Sequence, residues 1–402
     1  MTIDRKLLLE DARALVGEVI ELRRRLHRRP EIGLLLPQTQ AAVVQALAQL
    51  DVQIVTGQKL SSVIAVLEGY APGPTVLLRA DMDALKMREV SGVDFASEID
   101  GAMHACGHDC HTAMLIGAAK ILARHREQFA GRVIFAFQPG EEGFAGAKLM
   151  IEEGLLDRYG VPDAAFAIHM SPTEPCGAVF TRPGAAMAGA GNFLITVIGR
   201  GGHPAMPHHA VDPIPIAAEI VIALQTYVTR RVKAFEPAVL TVTAIQAGNP
   251  ELGAIPERAA LAGTIRAVSE PTRQQLFGAL KDLAGNIAAA HGAQAQVGLE
   301  AGYPPVVNDE HIVDVIAAVS RDLFGAAKFH LAPTPIMPSE DFAYILQRVP
   351  GAIAFLGARP PGDGPVAHVH SPRLVLNEDA MAVGMALHAG VAMDLIAGLT
   401  GS

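Results

Sequence analysis

The sequence predicts an α/β protein in which a large, mostly parallel sheet is covered by helices and interrupted by an inserted ferredoxin-like α+β unit. Three observations predict it. Short β-rich runs ending in polar residues alternate with helical stretches, the pattern that builds a parallel sheet. A run of βαββαβ order lies between about Gly191 and Gly302. The 402 residues, 50% of them apolar, exceed the usual size of one domain and can furnish cores for two.

Taken in order, apolar periodicity from Leu7 to His27 predicts an amphipathic opening helix that Pro30 stops, with the basic cluster Arg23, Arg24 and Arg25 on its solvated side. Strand Thr75–Leu78 precedes Asp81 and Asp83, helix Thr112–Arg126 follows, strand Val133–Phe137 precedes Glu141 and Glu142, and strand Ala165–Ile168 precedes His169. These polar residues thus fall where strands end, and in open α/β sheets that carboxyl edge is where ligands bind. The inserted unit reads as strand Phe193–Gly199, helix Ile214–Arg231, strands Val239–Ala247 and Ala259–Val268, helix Thr272–Ala290 and strand Ala295–Glu300. The chain returns with helix His311–Phe324, strand Ala352–Leu356 and a last helix near Asp379–Ile396. The expected domains are therefore a discontinuous one, 1–187 with 303–402, and an insert, 188–302.

Composition narrows the function. Lys and Arg number 32 against 41 Asp and Glu, and the net charge of −9 argues against nucleic acid or an acidic membrane as partner and for a small molecule. Three cysteines (Cys106, Cys110, Cys176) are too few and too odd for a disulfide framework and point to a reducing, cytoplasmic setting. Met1 to Arg13 is interrupted by charges, so no secretory leader is expected, and no apolar run of membrane-spanning length is read elsewhere.

The densest chemistry is His104-Ala-Cys106-Gly-His108-Asp-Cys110-His111, three imidazoles and two thiols in eight positions. Such ligands suit zinc, cobalt, nickel or manganese, although the same string also reads as a loop with buried cysteine and exposed histidine, or as a Cys106 nucleophile with a histidine base. Glu141 and Glu142 follow Gln138-Pro139-Gly140 at a tight turn after a strand, so one carboxylate can bind metal while the other handles protons; alone, the pair reads equally as an acidic loop. His169 alone reads as a core histidine. His368 and His370 lie two residues apart, and spacing does not choose between them. Asp83 suits orienting a ligand or tuning a base, and Asp81 suits capping a turn. The glycine- and proline-rich segment from Gly199 to His209 presents His203 from a shaped loop, or is a plain connector.

Several further segments complete an ordered set: Arg23-Arg-Arg-Leu-His27-Arg-Arg-Pro30-Glu-Ile-Gly33, Arg79-Ala-Asp-Met-Asp-Ala-Leu85, His104-Ala-Cys-Gly-His-Asp109, Phe137-Gln-Pro-Gly-Glu-Glu-Gly143, Gly201-Gly-His203, Gly263-Thr-Ile-Arg266, Ser339-Glu-Asp-Phe342 and His370-Ser-Pro372. Across nearly the whole chain this set resembles the metal-dependent amidohydrolases that include hippurate hydrolase, plant auxin-conjugate hydrolases and bacterial N-acetyl-diaminopimelate deacetylase. The resemblance implies hydrolysis of N-acyl amino acids by a site holding two divalent ions (manganese, zinc, cobalt or nickel) on Cys106, His108, Glu142, His169 and His370, with Glu141 as general base. It further implies that His203 reaches the active site of a partner subunit, that Arg266 meets the substrate carboxylate, and that the insert builds a homodimer. Ala254 stands where relatives commonly carry Asn, and Gly140 where Ala is common. Rival readings are a dipeptidase or carboxypeptidase with the same two ions, a Cys106 thiol hydrolase, and a metal-dependent binding protein without activity.

Overall fold

The computed structural model describes residues 5–400; the ends of the expected discontinuous domain and the first residues of the segment read as leader-free lie outside the described residues. The chain runs α1 (Arg5–Arg28), α2 (Pro37–Leu47), β1 (Gln53–Thr56), β2 (Val63–Glu68), β3 (Thr75–Asp81), α3 (His108–Arg124), β4 (Arg132–Gln138), α4 (Gly146–Glu152), β5 (Ala164–Ser171), β6 (Val179–Thr181), β7 (Gly184–Met187) and β8 (Gly189–Ile198). It continues with α5 (Pro213–Arg231), β9 (Ala238–Ala247), β10 (Arg258–Ala267), α6 (Glu270–Ala290), β11 (Gln294–Glu300), β12 (Val306–Asn308), α7 (Glu310–Phe324), β13 (Phe329–Leu331), α8 (Ala343–Leu346), β14 (Gly351–Gly357) and α9 (Ala380–Thr400). It divides into two compact units, one of residues 5–184, 307–334 and 341–400, the other of 185–306 and 335–340.

The first unit holds an eight-stranded sheet in the order β1-β2-β4-β3-β5-β14-β6-β13. Its centre, β4-β3-β5-β14, is parallel, while β1-β2, β2-β4 and β14-β6 are antiparallel. Every residue of β3 is buried, as a central parallel strand covered on both faces requires, and its apolar stretch Val76–Leu78 reflects this, while Arg79 and Asp81 are buried polar residues. α1, α3 and α7 pack on α9, which also lies against β3 and β5. The sequence offered no apolar run of membrane-spanning length, yet α9 is one by length and composition. Because 83% of that stretch is buried, its apolar girth belongs to a helix surrounded by other helices and the sheet.

The basic cluster of α1 is not simply solvated, contrary to what its sequence predicts. Arg23 is not solvated: its Nε lies 2.6 Å from Asp109 and its guanidinium 3.1 Å from Glu378, with only 3% of the side chain exposed. Arg24 pairs with the same Glu378 at 2.6 Å. Helical periodicity places apolar residues inward but does not disclose a buried carboxylate awaiting a charged one.

The second unit has the order β8-α5-β9-β10-α6-β11, with an antiparallel sheet ordered β11-β8-β10-β9. Burial alternates along β10, and α5 and α6 cover the apolar face, where Ile195, Ile220, Leu261 and Leu280 are fully buried. Asp212 and Ser269 cap the two helices by accepting from Ile214 and Thr272 N–H, and each helix begins with proline in its first turn. Residues 335–340 join this unit, an excursion that nothing in the local sequence announces.

Candidate active site

Parallel pairing brings the carboxyl ends of β3, β4 and β5 to one edge, and the loops leaving that edge carry the charged residues. Asp83 ties two of those loops together. Its Oδ1 accepts the Glu141 N–H and its Oδ2 the Glu142 N–H, both at 3.0 Å, so one carboxylate clamps the turn that bears the two glutamates. Gly140, the residue before them, has φ +73°, and a Cβ there would lie 2.5 Å from a Leu34 methyl, so glycine suits this turn.

α3 begins four residues earlier than the sequence suggested, so His108 and His111 stand on its first turn rather than in a loop. Gly107 makes the bend with φ +86°, bringing Cys106 and His108 to the same side. The potential ligand atoms of Cys106, His108 and His169 lie within 4.8 Å of one another, as do those of Cys106, Glu142 and His370 and those of His108, Glu141 and Glu142. All five residues expected to hold metal are therefore in one overlapping cluster with Glu141, whereas the exposed His368 is in none of these groups.

The histidines are aimed. His108 Nδ1 lies 2.9 Å from the Asp83 carbonyl and His169 Nδ1 2.8 Å from the Met170 carbonyl; each pair requires a proton on Nδ1, leaving Nε2 with a lone pair toward the cluster. His108 Nε2 and Glu142 Oε1 are buried without a hydrogen-bond partner among the described residues. Glu142 Oε1 does lie 3.2 Å from His370 Nε2 and 3.9 Å from His108 Nε2, but these atoms converge without hydrogen-bond alignment, as ligands around a common point do. A thiol, three imidazoles and a carboxylate so arranged fit two borderline divalent ions.

Burial and close packing shift several of these groups. Burial pushes the Cys106 thiol up, and burial lowers His169, 3.4 Å from the sulfur, to about 3. Burial would also raise the Glu142 carboxyl, but His370 and His108 outweigh it and hold it low. His370, half-exposed, is raised to about 10, first by Cys106 and then by Glu142.

Asp81 does not cap a turn. It ends β3 fully buried, 2.6 Å from Arg79 Nη1, and although burial alone would raise its carboxyl, Arg79, His108 and His111 hold it well below the usual range. Arg79 also donates to Gln138 at 2.8 Å and to Asp341 at 2.9 Å, and Gln138 and the Ala147 N–H donate to Asp341 as well. This buried polar scaffold under the site was not read from the sequence. Its signal was Arg79, a cation two residues before Asp81 in an apolar strand and hence on the same face. His104 is buried outside the cluster, and burial lowers it to about 3.

His203 and Arg266 belong to the second unit. His203 is exposed, its Nδ1 accepting the Ala205 N–H at 3.1 Å. Arg266 stands on β10, half-buried, donating to the Ile265 carbonyl at 3.0 Å, and burial lowers its pKa.

Fold and cluster together define an α/β protein with a candidate metal centre at the carboxyl edge of its sheet. Residues 77–394 match peptidase family M20/M25/M40, and the chain belongs to that family. It is 38% identical to IAA-amino acid hydrolase ILR1-like 2 of Arabidopsis thaliana over 94% of this chain and 85% of that protein. It is 36% identical to N-acetyl-L-cysteine deacetylase of Bacillus subtilis, over 90% and 85% respectively. Among solved structures, Bacillus subtilis YXEP, a dinuclear metal binding peptidase, superposes with a TM-score of 0.82 at 32% identity, covering 96% of this chain and 99% of that one.

Proposed function

We propose that this chain is a metal-dependent amidohydrolase that cleaves N-acyl amino acids to a carboxylic acid and a free amino acid. The observation that carries the reading is the convergence of Cys106, His108, Glu142, His169 and the half-exposed His370 on one cluster that also contains Glu141. The first three residues with His169 and His370 are assigned as ligands of two divalent ions, which when bound supply Lewis acidity, polarising the amide carbonyl and acidifying water. Manganese, zinc, cobalt and nickel all suit this donor set.

Glu141 takes a proton from the attacking water and returns it to the departing amine, so one carboxylate serves as base and then as acid. It is suited to this because Asp83 fixes its backbone beside Glu142, leaving the two side chains to different tasks. Asp83 thus serves catalysis by positioning. His203 is assigned to the oxyanion, from a partner subunit in a homodimer built through an insert of residues 188–302, with 1–187 and 303–402 forming the catalytic domain. Arg266 is assigned to the substrate carboxylate, which its planar fork binds at both oxygens. Those two assignments rest on the order of the sequence segments alone. The free thiols of Cys106, Cys110 and Cys176 support a reducing, cytoplasmic setting.

A dipeptidase or carboxypeptidase would use the same ligands and base, and a substrate panel separates it. The base assignment is tested by Glu141→Ala: the variant retains its metal, measured by elemental analysis, but loses turnover by about two orders of magnitude or more. Normal turnover with metal retained would refute it.

A further inference from the structure

His111 is the one histidine among His108, His111 and His169 for which the reading above has no use. It lies on the first turn of α3, with 1% of its surface exposed, its ring centroid 5.4 Å from that of His108 and 4.8 Å from that of His169. Its potential ligand atoms fall within 4.8 Å of those of Asp81 and His108, so by proximity it could be taken for a ligand.

Its hydrogen bonds exclude that. The Met170 backbone N–H donates to His111 Nε2 at 2.8 Å. A backbone N–H can only donate, so Nε2 holds a lone pair and the ring proton is on Nδ1, which lies 2.6 Å from Asp81 Oδ1 and donates to it. Both nitrogens are spent. Asp81 is itself held by Arg79, and its backbone carbonyl accepts from Thr112 Oγ of the same helix at 2.8 Å.

The Met170 peptide is the link to the site. Its N–H is held by His111, and its carbonyl, on the same residue, accepts from His169 Nδ1 at 2.8 Å, the bond that leaves His169 Nε2 facing Cys106. We propose that His111 is a positioning residue: with Asp81 fixing its tautomer, it clamps Met170 and thereby sets the presentation of His169 to a metal ion. The inference rests on the two-metal reading. Groups that orient a ligating histidine typically contribute about 10- to 100-fold in metal affinity.

The test compares metal-free wild type, His111→Phe and His111→Gln by calorimetric titration with manganese, and by the visible spectrum of the cobalt-loaded proteins, which reports the ligand set directly. His111→Phe keeps the volume but makes neither hydrogen bond, and should weaken one of the two sites by about 10- to 100-fold and alter the cobalt spectrum. His111→Gln, which offers an acceptor and a donor, should recover most of the affinity. A folded His111→Phe with both affinities and the spectrum unchanged overturns the inference. Should that variant not fold, Asp81→Asn decides in its place, with loss of affinity expected and unchanged affinity overturning it. Wild type that binds no divalent ion would instead defeat the two-metal reading itself.

Discussion

His370 has φ +64°, a left-handed conformation that a residue with a side chain seldom takes, and its N–H donates to the Ala105 carbonyl at 2.7 Å. The backbone thus joins His370 to the residue before Cys106, and local strain is accepted where it brings two ligands together. Asp109, next to His108, has the complementary task of anchoring. Its Oδ2 meets His27 Nδ1 at 2.8 Å and Arg23 at 2.6 Å, the latter an ion pair rather than an aligned hydrogen bond. Asp109→Asn would leave Arg23 buried beside a neutral amide, and a loss of about 3–5 kcal/mol in urea unfolding is expected. A loss under about 1 kcal/mol would show that Glu378 alone satisfies Arg23. At Gly107 an added Cβ would adopt φ +86° and lie 2.9 Å from a Leu376 methyl. Gly107→Ala should therefore lower stability by about 1–3 kcal/mol and weaken metal uptake, both read from thermal melts with and without manganese. An unchanged melt would contradict the strain argument.

At the scale of elements, α3 and α9 pack through a reciprocal seam. A Cβ on Gly117 would sit 2.1 Å from Met385 Sδ, and one on Gly384 would sit 2.2 Å from Met114 Sδ. Each helix thus admits the other's methionine where it has no side chain. Gly384→Val should overpack the seam and cost about 1–3 kcal/mol by denaturant midpoint, and a neutral result would mean that the methionines find another place. Such seams, like the antiparallel pairings β1-β2 and β14-β6, were not legible in the sequence, because they depend on which elements become neighbours. The central strands were legible because burial on both faces imposes apolar stretches such as Val76–Leu78 and Val133–Phe137. The start of α3 was missed because polar His108, Asp109 and His111 occupy its first turn and break the apolar period. The same mismatch marks the site: where local pattern fails, Cys106 to His111 and Glu141-Glu142 are held by hydrogen bonds from distant loops. The scaffold of Arg79, Gln138 and Asp341 stayed hidden because 203 residues separate Gln138 from Asp341, and no periodicity spans that gap.

For the molecule as a whole, the central claim is that this chain hydrolyses N-acyl amino acids through metal ions held by the cluster at the carboxyl edge of β3, β4 and β5. The most direct measurement is release of free amino acid from a panel including N-benzoylglycine and N-acetylated residues, with manganese-reconstituted protein beside a chelated aliquot. Release should appear with manganese, disappear on chelation and return on readdition. Release that survives complete removal of metal would contradict that claim.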